Sequence, residues 1–131
     1  MTKNFKYKFR IYYEDTDSGG VVYYANYLKY LERARSEAIY SLGLTNTKLQ
    51  KDYGTLIIVK SCNIEYKKPA RFEDELEINS SVLTKTKTSF TMKQIIKKDE
   101  EIISEADVKL VTVNKEGKPV KIPEILEKFL N

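Results

Sequence analysis

Three carboxylates, Glu14, Asp15 and Asp17, fall within four residues, and Gly19-Gly20 follows them after Ser18. An apolar triplet, Val21-Val22-Tyr23, comes next, and Tyr24-Ala25-Asn26-Tyr27 opens the longest helical pattern in the chain. A carboxylate is ionised at neutral pH and can serve as nucleophile or general base. The first turn of a helix carries unpaired N–H groups and partial positive charge, which bind an oxyanion or polarise a carbonyl. Glycines let the backbone pass close to a ligand. This segment can therefore set a carboxylate opposite a helix N-terminus. The same residues also suit plainer work, with Asp15, Asp17 and Ser18 as turn and capping residues and the glycines turning the chain. Polar turns before helices are common, and spacing alone favours that plainer work.

Lys67, Lys68 and Arg71 form a second cluster, interrupted by Pro69. It can hold phosphates or be a solvated loop, and the residues alone leave both open. Glu32, Arg33, Arg35 and Glu37 can form a network at a subunit contact or pair on a helix surface. Cys62, the only cysteine, has apolar neighbours and no histidine to activate it, so it is expected in the core. The ten tyrosines fall mostly at alternating or helical positions and are expected to pack rather than to stack on bases.

Composition narrows the chemistry further. The absence of histidine excludes Ser-His-Asp and Cys-His hydrolases, His general bases and zinc sites with imidazole ligands. At 131 residues, 41% hydrophobic and 32% charged, the chain reads as one globular domain spanning 1–131. Its net charge of +4 suits an anionic ligand without requiring nucleic acid. No apolar run approaches membrane-spanning length, and Met1 to Lys6 lacks the apolar core of a signal peptide. With a single cysteine as well, a cytoplasmic protein is expected.

The elements that must position these residues follow from periodicity. Tyr7, Phe9, Ile11 and Tyr13 alternate with Lys6, Lys8, Arg10 and Tyr12, predicting a strand over Lys6–Tyr13. Leu28, Leu31, Ala34, Arg35, Ala38, Ile39 and Leu42 recur at helical steps, predicting a helix over Asn26–Leu42 with Asn26 as N-cap and Gly43 beyond its end. Strands follow, marked by Ile58, Cys62, Ile64 and Tyr66, then by Leu76, Ile78 and Val82, then by Phe90, Met92 and Ile96, and last by Ile102–Val113. Pro123 opens a short closing helix with Ile122, Ile125, Leu126 and Phe129 as its apolar stripe. Short connections favour antiparallel neighbours, so the expected class is α+β. A small sheet leaves edges exposed, and pairing of edge strands in a dimer would cover one of them.

The stretch Tyr12-Tyr13-Glu14-Asp15-Thr16-Asp17-Ser18-Gly19-Gly20-Val21-Val22-Tyr23-Tyr24-Ala25-Asn26-Tyr27, followed by Leu31-Glu32-Arg33-Ala34-Arg35-Ser36-Glu37, closely resembles the signature of hotdog-fold acyl-CoA thioesterases. The match is to the branch containing 4-hydroxybenzoyl-CoA thioesterase and the Tol-Pal-associated YbgC group. Ile64-Glu65-Tyr66-Lys67-Lys68-Pro69-Ala70-Arg71-Phe72-Glu73-Asp74 is similar to this family's connection between two sheet strands. The resemblance implies a hotdog fold, in which a long central helix is wrapped by a curved antiparallel sheet of about five strands. It implies that Asp17 attacks the thioester carbonyl or activates a water, with the Tyr24 backbone N–H polarising that carbonyl. Tol-Pal-associated members carry His at the position of Tyr24, whereas the hydroxybenzoyl-CoA enzymes carry Tyr. Lys67, Lys68 and Arg71 are then candidates for the coenzyme A phosphates. No metal or other cofactor is implied. A homodimer or homotetramer is implied, with the substrate bound between subunits, and coenzyme A or acyl carrier protein remains open as the acyl donor.

Three other functions fit less well. A non-catalytic acyl-CoA or acyl-carrier binding module would share everything but turnover, and the presence of Asp17 in its motif argues against it. Nucleic-acid binding is disfavoured because the positive charges are dispersed among acids. A hotdog dehydratase relies on a histidine that this chain lacks.

Overall fold

The computed structural model describes residues 3–131, the side chain of Lys128 excepted; Met1 and Thr2, which open the segment read above for a signal peptide, lie outside it. Five strands run as β1 (Asn4–Arg10), β2 (Leu56–Tyr66), β3 (Glu75–Lys85), β4 (Ser89–Lys98) and β5 (Glu101–Val113). They form one antiparallel sheet in the order β1-β3-β4-β5-β2. Helix α1 (Asn26–Tyr40) packs against β1 and β3, α2 (Asn46–Tyr53) leads into β2, and α3 (Glu127–Leu130) closes the chain behind a 3₁₀ turn at Glu124–Leu126.

The central strands show why the sheet packs on one side only. Leu76, Ile78 and Val82 on β3, Phe90, Met92 and Ile96 on β4, and Ala106, Val108 and Leu110 on β5 alternate with more exposed residues and are all buried. These are the positions that the period of two marked out. Tyr30, Leu31, Ala34, Ala38 and Ile39 of α1 complete the core from the other side. Register shifts between Val59 and Ser61, between Val82 and Thr84, and between Ile96 and Lys97 bend the strands that carry them. The α+β architecture is the expected one.

Several details differ from the expectation. Strand β1 ends at Arg10, because the Ile11 N–H donates to the Asp74 carbonyl (3.0 Å) and Tyr13–Asp15 turns into a 3₁₀ segment. Asn26 is the first residue of α1 and not its cap: Ala25 is the N-cap and makes no side-chain capping bond. The helix ends at Tyr40, and turns carry the chain on to Gly43, whose φ of 81° is the left-handed conformation expected of a glycine there. Leu31, Ala34, Ala38 and Ile39 are buried as expected, but at the start of the helix Tyr27 and Tyr30 lie inside and Leu28 is exposed. Helix α2 was not anticipated. Thr45 caps it by accepting from the Lys48 N–H (3.0 Å), and Gly54 closes it.

The two sheet edges contrast. Edge strand β1 exposes Lys6, Lys8 and Arg10, charges that deter pairing with another strand. Edge strand β2 instead exposes Ile58 and Val59, at 46% and 48%.

Candidate functional site

The loop from Tyr12 to Ala25 is held by its own backbone and by the segment 67–74. Within the loop, the Asp17 N–H donates to the Val21 carbonyl (2.9 Å), the Gly20 N–H to the Asp17 carbonyl (3.0 Å), and Thr16 pairs with Val22. Gly20 takes φ 78°, a value that a side chain would strain. Across the loops, the Val22 N–H donates to the Ala70 carbonyl (2.8 Å) and the Phe72 N–H to the Gly20 carbonyl (3.1 Å). Tyr13 stacks on Phe72 at 4.1 Å between ring centroids. The two sequence signatures, distant along the chain, thus dock on each other.

Asp17 sits exposed on this loop. Its Oδ1 accepts the Gly19 N–H at 2.8 Å, which fixes one side of the carboxylate and leaves Oδ2 without a protein partner among the described residues. A Cβ at Gly19 would stand 3.3 Å from Oδ1, so position 19 favours the absence of a side chain. Asp17 is both a turn-forming residue, as the plainer reading has it, and an accessible carboxylate.

Asp15, in contrast, is structural. Its Oδ2 accepts the Tyr12 N–H (2.8 Å), and its carbonyl accepts both the Tyr23 N–H (3.1 Å) and Asn26 Nδ2 (2.9 Å). Asn26 therefore ties the carboxylate loop to the start of α1 instead of capping the helix. Tyr30 lies below, buried and with its hydroxyl unpartnered among the described residues. Burial holds its phenol well above the usual tyrosine range, and the nearby Asp15 carboxylate adds to the effect.

At the helix start, the N–H groups of Tyr24 and Ala25 donate to no protein acceptor among the described residues. They are the orphan donors that a helix N-terminus presents. The Tyr24 side chain is 62% exposed, and its carbonyl accepts the Tyr66 hydroxyl at 3.2 Å. Tyr66 also packs edge-on against Tyr24 and Tyr27, with centroids 6.2 and 5.3 Å apart. The Tyr27 hydroxyl accepts the Ala70 N–H (3.0 Å), and burial is the main cause of its raised pKa.

Tyr24, Tyr27, Tyr66, Lys67, Lys68 and Val22 line one open cleft of about 260 Å³. The structure thus brings Tyr24 together with Lys67 and Lys68, while Asp17 and Arg71 are not among the cleft's walls. Arg71 is exposed on the adjoining segment, its backbone N–H bound to Asp74 Oδ2 (2.8 Å) and Val21 bridged to it. Lys67 is engaged by Glu65 (3.1 Å) and Glu105 (3.9 Å), and the Glu65 hydrogen bond is the main cause of its raised pKa. Lys68 pairs with Glu101 at 2.9 Å. These ion pairs are exposed and weak enough to yield to a phosphate. Arg71 has no ion-pair partner among the described residues.

Three expectations need correction. Cys62 is exposed and not in the core, because β2 is an edge strand with nothing packed beyond it. Its thiol is still pushed up, mainly by partial burial, while Arg35 opposes the shift. Seven of the ten tyrosines, Tyr12, Tyr13, Tyr23, Tyr24, Tyr40, Tyr53 and Tyr66, are exposed and lie outside the core, although Tyr13, Tyr24 and Tyr66 pack against other rings, and four of the seven stand in the first signature. Of the two readings of Glu32, Arg33, Arg35 and Glu37, pairing with one another on the helix surface is not formed among the described residues; Arg35 bonds Gln94 instead (2.9 Å). Periodicity does not single out Tyr27, and it offers Asn26 only as a helix cap and Tyr66 only as a strand marker. Their place inside the two signatures was the available signal.

A family model of the thioesterase-like superfamily matches residues 12–130. The acyl-CoA thioester hydrolase YbgC of Escherichia coli O6:H1 is 35% identical over 94% of this chain and 92% of its own length. The acyl-CoA thioesterase YbgC of Haemophilus influenzae is 34% identical over 95% and 92%. A crystal structure of a hypothetical protein from Aquifex aeolicus superposes with a TM-score of 0.90 and 31% identity, covering 97% of this chain and 99% of that one.

Proposed function

The chain belongs to the thioesterase-like superfamily, and on that premise we propose that it hydrolyses acyl-CoA thioesters to a free acid and coenzyme A. The observation that carries this is the similarity to YbgC hydrolases over nearly the whole length of both chains. Thioesters are reactive acyl donors and thiolates leave readily, so a carboxylate and a polarised carbonyl suffice.

In the proposed mechanism the thioester oxygen accepts the free Tyr24 N–H at the start of α1, where the helix dipole adds to the polarisation. The Asp17 carboxylate attacks the carbonyl carbon or draws a proton from the water that does. The coenzyme A thiolate leaves, and water completes the free acid. Because Tyr24 acts through its main chain, His or Tyr at that position serves equally. Lys67 and Lys68, on the walls of the open cleft, and Arg71, on the adjoining segment, reach the coenzyme A phosphates.

Assembly belongs to the same proposal. Pairing of two β2 edges in a homodimer covers Ile58 and Val59, and two dimers give a tetramer. We read residues 1–131 as one catalytic domain. No helix among the described residues is long and apolar enough to cross a membrane. A cytoplasmic location rests on the lone cysteine. Thiol release from acyl-CoAs of graded chain length, one aromatic acyl-CoA and an acylated carrier protein tests the activity and identifies the donor. Binding of these donors without thiol release overturns the proposal.

A further inference from the structure

The backbone ties between segment 67–74 and the carboxylate loop fall on Ala70, Arg71 and Phe72. The Ala70 carbonyl accepts the Val22 N–H, Arg71 bridges Val21, and the Phe72 N–H donates to the Gly20 carbonyl. The Val21 carbonyl in turn accepts the Asp17 N–H at 2.9 Å, so a single residue links Arg71 to Asp17. Whatever fixes the backbone of residues 70–72 also fixes where the Asp17 carboxylate stands.

The Asp74 side chain grips that backbone. Its Oδ2 accepts the Arg71 N–H at 2.8 Å, while the Asp74 N–H donates to the Arg71 carbonyl at 3.1 Å, so side chain and main chain close the 71–74 turn from both ends. Asp74 Oδ1 pairs with Lys98 Nζ at 3.0 Å, and Lys98 is the last residue of β4. At 13% exposure, Asp74 is the most sheltered carboxylate in any ion pair of the described residues, so water screens its charge less than that of the others. Its hydrogen bond is the main cause of the raised Lys98 pKa. Between Arg71 and Asp74, Glu73 takes φ 67°, a left-handed conformation that a residue with a side chain keeps only where its surroundings hold it. The Glu73 N–H donates to the Ile11 carbonyl (3.0 Å), and the Glu73 carbonyl accepts Arg10 Nη1 (3.2 Å). The turn is thus held from the end of β1, from β4 and from within.

We infer that Asp74 is a positioning residue for the hydrolysis proposed above, with Lys98 as its anchor on the sheet: its carboxylate sets the backbone of residues 70–72 against which the Asp17 loop is built. Asp74 acts through that loop and not on the thioester. A misplacement of about 1 Å at a reacting group costs on the order of a hundredfold in rate. The effect on rate rests on the proposed hydrolysis; the hold on the loop does not.

Amide hydrogen exchange and thiol-release kinetics of the full-length wild type, Asp74→Ala, Lys98→Met and Lys98→Arg are the test. In Asp74→Ala the amides of Asp17, Gly20, Val22 and Phe72 should exchange about tenfold faster or more, while those of the central strands keep their rates. Its kcat should fall about tenfold or more, with KM within about twofold of wild type. Lys98→Met should move both readouts the same way by less, and Lys98→Arg should recover most of the change. Unchanged loop exchange in Asp74→Ala overturns the inference. So does faster exchange spread evenly over the sheet, which marks a residue that only stabilises the fold. A wild-type kcat with a mobile loop, or a raised KM with kcat intact, removes the role in positioning Asp17. Exchange needs no turnover: if the wild type cleaves no acyl-CoA, faster loop exchange keeps the hold of Asp74 on the loop and only the hydrolysis fails. Should Asp74→Ala fail to fold, Lys98→Met against Lys98→Arg decides on the same readouts.

Discussion

Asp17 and Tyr24 divide the proposed work between a side chain and a main chain, so their substitutions should differ sharply. Tyr24→Phe keeps the N–H and removes only an exposed hydroxyl, so kcat should stay within a few-fold of wild type in steady-state kinetics. A loss comparable to that of Asp17→Asn would give the phenol a chemical role. Replacing Lys67, Lys68 and Arg71 together with Ala should raise KM for acyl-CoA more than it lowers kcat, because remote phosphate contacts bind substrate and transition state alike. An unchanged KM at low salt would remove these residues from the phosphate site. Tyr30 makes a separate prediction. The unfolded chain titrates its phenols near pH ~10, whereas the fold keeps Tyr30 and Tyr27 neutral beyond it. Stability is therefore intact below pH ~10 and falls as pH rises toward the folded values. Urea midpoints should decline above that pH, and Tyr30→Phe should flatten the decline. The exposed turn that carries Asp17 was legible because its residues are turn formers. Asn26 and Tyr66 were not, since their roles depend on which carbonyl lies opposite, which no local pattern encodes.

At the scale of elements, the central strands and α1 were legible because each buries a regular stripe on one face. Helix α2 escaped because Leu49 is its only buried residue, leaving almost no periodic signal; Thr45 and Gly54 at its ends were the clues. The departure at the start of α1 has a packing cause. Tyr27 and Tyr30 outcompete Leu28 for the core because their rings fill the space under the carboxylate loop and beside Phe9. Cys62 and the exposed face of β2 were misread because apolar spacing marks a strand without saying whether it lies at the edge. If that edge is a subunit contact, Val59→Lys should shift the assembly toward monomers in sedimentation velocity, since an inward-pointing charge at an edge opposes pairing. An unchanged sedimentation coefficient would place the contact elsewhere.

For the whole molecule, the fold docks two distant loops, 12–25 and 67–74, on each other, and the first of them carries an exposed carboxylate and leads into a helix start whose Tyr24 and Ala25 N–H groups meet no acceptor among the described residues. Sequence alone could indicate both groups but not the docking, which rests on backbone bonds such as Val22 to Ala70 and Phe72 to Gly20. The most direct measurement is thiol release from a cleaved acyl-CoA by wild type and Asp17→Asn, with folding and oligomeric state matched by circular dichroism and sedimentation. Amide for carboxylate preserves the shape and the Gly19 hydrogen bond while removing the charge. The expected result is a loss of about 10²–10⁴ in kcat with the assembly unchanged. Turnover within a few-fold of wild type would contradict the assignment of the chemistry to Asp17.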